Sequence, residues 1–88
     1  MSIATIEAYV AQKNAWNKMF GTEPLSLLRA EDRQQIASSI DGDLSPENLT
    51  CDGELPRSQV QARYRMLTRA ARELQSIDPQ VTFYEYSE

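Results

Sequence analysis

Asp41, Asp43, Ser45 and Glu47 alternate along one short run, and Asp52 stands at the twelfth position counted from Asp41. That is the ligand rhythm of a calcium loop, in which oxygen donors recur at every second position. Two residues spoil it. The sixth position, where the loop needs glycine for a sharp turn, holds Pro46, and the last ligand is a short aspartate where a bidentate glutamate belongs. Asp52 and Glu54 also form a carboxylate pair of the kind used in acid/base work. No nucleophile, metal-ligand cluster or phosphate-cradling glycine loop adjoins them. The reading that remains is that these acids serve structure or pair with cations.

The rest of the catalytic inventory is thin. The chain has no histidine and a single cysteine, Cys51. Ser–His and Cys–His nucleophiles are therefore excluded, as is the side chain best suited to proton transfer near neutral pH. An internal disulfide is excluded too, and a zinc site loses its commonest ligand. With no basic neighbour in sequence to activate it, Cys51 reads as a small buried residue. The expectation is a non-enzymatic protein with no cofactor and no metal.

The cations are more organised. Arg65, Arg69 and Arg72 recur at helical spacing on one face, where they can follow a phosphate backbone or meet an acidic partner. Against a nucleic-acid reader stands the sequence pI of about 4.7. The net charge of −4 hides a division. Residues 1–56 carry four bases and nine acids, whereas residues 58–77 carry Arg63, Arg65, Arg69 and Arg72 against Glu73 alone. Arg63 differs from the other three because it projects into an apolar arc, between Met66, Ala70 and Leu67. A guanidinium there needs a partner, and a carboxylate of the Asp52–Glu54 segment is expected to hold it and so tie loop to helix.

The elements that must position these groups follow from periodicity. Residues 3–20 read as a first helix, capped by Ser2 and stopped by Gly21, with Ile6, Tyr9, Val10, Trp16 and Phe20 on one face. Lys13 interrupts that stripe. The expectation is that its stem packs while the ammonium snorkels to water; the alternative is that it meets a carboxylate from elsewhere. Gly21 to Pro24 form a turn. A second helix is expected mainly over residues 30–40, with Leu28, Ile36 and Ile40 as its apolar edge and Asp41-Gly42-Asp43 as its stop. Residues 41–57 form an ordered loop with one helical turn over Pro46–Leu49, pinned to the core by Leu44, Leu49 and Leu55.

The last helix spans 58–77, with Ser58 and Gln61 in a capping-box pattern. Val60, Tyr64, Leu67, Ala71 and Leu74 make a seam, and Met66, Ala70 and Ile77 a second strip beside it. One neighbouring helix cannot cover so wide an arc, so this helix is either central or shared with a partner. The tail, residues 79–88, is rich in β-branched and aromatic residues and reads as extended. It either pairs as a strand or lies over the helices.

LSPENLTCDGEL followed by an arginine-rich helix resembles short uncharacterised proteins encoded by bacteria and their phages. The resemblance covers roughly residues 44–72 and implies a bacterial or phage setting; it carries no activity and no site residues.

The sequence thus predicts one small all-α domain over residues 1–88: three main helices, an ordered loop before the last and an extended tail. No window is apolar enough for a signal peptide or a membrane span, so a cytoplasmic protein is expected. The expected role is a protein–protein interaction module, with self-association as a homodimer one form of it. The candidate surface is Arg65, Arg69, Arg72, Met66 and Ile77. The alternative is a nucleic-acid-associated factor using the same arginines.

Overall fold

Helix α4, Arg57–Ile77, is the post against which the rest of the chain leans: α1 (Ala4–Asn17) and α2 (Ala30–Leu44) both lie along it. A fourth, single-turn helix, α3 (Pro46–Leu49), follows α2 directly. The computed structural model describes residues 2–17 and 28–87. The Gly21–Pro24 turn, and Phe20 at the end of the first predicted helix, lie outside these residues, as does the side chain of Trp16. The described residues are helical apart from turns and the tail, and no strand occurs among them.

One core holds the helices together. Ile6, Tyr9 and Val10 from α1 meet Ile36, Ala37, Ile40 and Leu44 from α2 and Leu67, Ala70, Ala71 and Leu74 from α4, with Leu28 and Val81 closing the ends. Ile6, Ile36, Ile40, Leu67 and Leu74 are sealed from solvent. Each such side chain contributes about 1.5–3 kcal/mol on leaving water. The small residues Ala37, Ala70 and Ala71, all fully buried, let the helices approach closely.

Helix α2 does not stop at Ile40; Asp41-Gly42-Asp43 continues it to Leu44. Glycine inside a helix costs about 1 kcal/mol relative to alanine. Burial of Leu44 offsets that cost, and both aspartates are engaged by other segments. The stop is Pro46. It forces Ser45 out of the helical region to ψ 146°, and the freed carbonyl of Gly42 accepts from Ser45 Oγ and Asn48 Nδ2, both at 2.8 Å. Ser45 therefore closes α2 and its hydroxyl does not cap α3.

The predicted loop is thus shorter than expected. After α3 the chain turns through Cys51, Asp52 and Gly53, all at positive φ (49°, 56° and 84°). Their amides are satisfied locally, by Asn48 O, Glu47 O and Thr50 O. Cys51 is exposed on this turn, contrary to the expectation of burial. The tight left-handed turn leaves its side chain no core to enter.

Helix α4 begins one residue early. Pro56 is its N-cap and Arg57 its first residue, with no side-chain cap, so Ser58 and Gln61 do not form the expected box. Pro56 enters at φ −58° and ψ 148°, and its carbonyl accepts from Gln59 and Val60.

The tail lies over the helices. Val81 is buried, and Phe83 and Tyr86 pack on the core with their rings edge to face at 5.3 Å. Gln34 grips the backbone of Thr82 from both sides, at 3.1 and 3.0 Å. Asp41 accepts the successive amides of Tyr84, Glu85 and Tyr86.

Candidate functional site

The residues on α4 divide by depth along the helix. In its last half, Leu67, Ala70, Ala71 and Leu74 are buried, and Ile77 packs partly against the core. In its first half the seam emerges into solvent. Val60 is half-buried, Tyr64 is 52% exposed, and with Leu49 of α3 they line a cleft of about 430 Å³ whose polar edge is Gln61 and Arg65. The arc is as wide as its sequence implies, but the described residues cover only one end of it.

Arg65, Arg69 and Arg72 are exposed and share one groove with Thr5, Met66 and Thr68. The spacing expected from sequence is realised, and the groove borders the first turn of α1. Met66 and Ile77, expected on the same surface, are half-buried and packed against the core. Their apolar area is largely spent on the fold.

Asp52 and Glu54 are exposed on the turn, and no ion pair among the described residues joins either of them to Arg63. The reason is helical geometry. Arg63 lies six residues beyond Arg57, roughly 9 Å along the axis at about 1.5 Å per residue, on the side that faces α1. Its guanidinium enters an open-mouthed cavity of about 250 Å³ with Tyr9, Gln12, Lys13, Asp43, Met66 and Leu67. Its Nε is buried and has no hydrogen-bond partner.

The opposite wall of that cavity is a closed network. Lys13 Nζ stands 3.0 Å from Asp43 Oδ2 and 5.5 Å from the centre of the Tyr9 ring. The lysine in the apolar stripe therefore meets a carboxylate and does not simply snorkel. The Tyr9 hydroxyl donates to the same Asp43 oxygen at 2.8 Å and lies 2.7 Å from Ser39 Oγ. Burial raises the Tyr9 phenol above its ordinary pKa, and the adjacent Asp43 carboxylate adds to the rise.

Two further groups escaped the sequence reading. Glu73, 5% exposed, points from the basic helix to the start of α1, where its Oε1 accepts from Ile6 N at 2.9 Å. It caps the positive end of that helix. Its position, three residues after Ala70 and four before Ile77, lies on the buried strip and was the available signal. Arg33 donates to Asp78 at 2.7 Å and to the carbonyl of Leu28, tying α2 to the end of α4. That hydrogen bond, with a second from the Gln80 amide, holds the Asp78 carboxyl below its ordinary pKa.

The acids of the alternating run are thus dispersed. Asp41 holds the tail, Asp43 holds Lys13 and Tyr9, and Asp52 sits on the exposed turn. Among the described residues no three of the acids and cysteine come together as metal ligands. No helix among them is long and apolar enough to cross a membrane. No family model matches the chain, and neither a curated protein nor a solved structure matches it.

Proposed function

We propose that this chain is a non-enzymatic interaction module of the cytoplasm that binds protein through the first half of α4. The observation that carries this reading is the change of exposure along one continuous seam. Leu67 and Leu74 are buried, whereas Tyr64, in register with them, is half open beside Val60 and Leu49. A large aromatic flanked by aliphatic side chains and rimmed by an arginine has the composition of a protein-binding hot spot. A second copy of the chain is a suitable partner. Its acidic turn, with Glu47, Asp52 and Glu54 exposed, complements the arginines beside the cleft.

Light scattering at micromolar concentration tests the self-associating form. The expected result is a dimer that Tyr64→Glu returns to monomer; a monomer at all concentrations overturns self-association and leaves a different protein as partner.

The second reading is a nucleic-acid-associated factor, supported by the common groove of Arg65, Arg69 and Arg72. It predicts binding to an oligonucleotide that weakens steeply with salt and with loss of these arginines. The acidic balance of the whole chain favours the first reading.

A further inference from the structure

Arg63 presents a problem that the fold does not solve. A buried guanidinium N–H without an acceptor costs more than an ordinary hydrogen bond contributes, and such groups are rare in folded proteins. Yet the Nε of Arg63 has no partner, while the one carboxylate lining the same cavity, Asp43, is engaged by Lys13 and Tyr9 through its Oδ2. Among the described residues two cations and one anion line the space, a surplus of one positive charge. The cavity is open at its mouth, where exposed Gln12 stands, and Met66 and Leu67 supply apolar surface. About 250 Å³ holds about eight waters at their liquid share of about 30 Å³ each, or a short organic acid.

From these observations we propose that the cavity between α1, α2 and α4 is a carboxylate-binding site, with Arg63 as the ligand's hydrogen-bond donor, Lys13 as a second cation and Met66 and Leu67 beside its carbon chain. The planar guanidinium matches the carboxylate fork; its Nε is closed to solvent as the side chain stands, so the ligand draws the Arg63 side chain toward the mouth of the cavity to reach that N–H. One negative charge balances the site. A phosphate dianion brings an excess charge close to Asp43, which makes it the poorer match. The carboxylate can belong to a small free acid or to the side chain of an acidic peptide, since both offer the same two oxygens. This site is separate from the Tyr64 cleft and does not depend on the interaction reading above.

The test follows the Arg63 Nε–H resonance by nitrogen–proton NMR during titration with sodium acetate, sodium butyrate, a short capped glutamate peptide and, for comparison, sodium phosphate. Sodium chloride at matched ionic strength is the control. The expected result is a saturable downfield shift of that one resonance with carboxylate and none with chloride. Tighter binding of the peptide than of the free acids assigns the source to a protein, and the reverse assigns it to a small molecule. Gln12→Trp narrows the mouth from an exposed position and leaves the core intact. It is expected to weaken carboxylate binding roughly tenfold, the scale of one lost good contact. A shift no larger than that with chloride overturns the proposal. So does undiminished binding in Gln12→Trp, or phosphate binding as tightly as carboxylate.

Discussion

The two halves of α4 share a helical repeat and an apolar seam, but they live in different solvents. From Leu67 onward every seam residue is covered by α1, α2 or the tail; before it, Val60 and Tyr64 look outward past the short α3. Hydrophobic periodicity therefore says which face of a helix is apolar but not how much of that face its own chain can reach. Among the described residues coverage ends where α2 gives way to α3, because α3 is a single turn and brings only Leu49 to the seam.

The contrast makes a large and simple prediction. Leu74→Ala opens a void in the sealed half and is expected to cost about 2–5 kcal/mol, whereas Tyr64→Ala in the open half is expected to stay within about 0.5 kcal/mol. Urea unfolding of the two variants measures both, and equal losses would break the distinction. Glu73→Ala comes next. It leaves the Ile6 amide buried without an acceptor, at about 1–3 kcal/mol, and should loosen amide exchange at the start of α1 more than elsewhere.

A smaller effect depends on pH. Asp78 has a depressed pKa in the folded state, so the stability it lends is fully present above its unfolded value of about 3.9 and is lost as pH falls through the lower folded value. Acid unfolding of Asp78→Asn should lack that component, and an unchanged acid limb would remove the Arg33–Asp78 pair from the account of stability.

What the sequence made legible is the local pattern. The apolar stripes, the Pro46 turn and the wide arc of α4 each rest on spacing, and each is present in the structure. What it concealed depends on partners distant along the chain. Asp41-Gly42-Asp43 has the composition of a helix stop. It stays helical because Asp41 is held by tail amides more than forty residues away and Asp43 by residues of α1. The acids of the turn before α4, Asp52 and Glu54, do not pair with Arg63, because its helical position turns it toward α1 and away from them. Lys13 is expected from sequence to snorkel, and Asp43, thirty residues on, gives it a carboxylate instead.

The Glu73 cap also orders events in time. A helix of 14 residues is near the limit of what can persist alone in water, and α1 borrows the acceptor for one of its first amides from a residue 67 positions downstream. On a ribosome, α1 emerges well before its cap. Until α4 is nearly complete, Ile6, Tyr9 and Val10 have no Leu67, Ala71 or Leu74 to bury against. Helix α1 is therefore made before the residues it folds against, and in that interval its apolar stripe is open to any chaperone that meets the nascent chain.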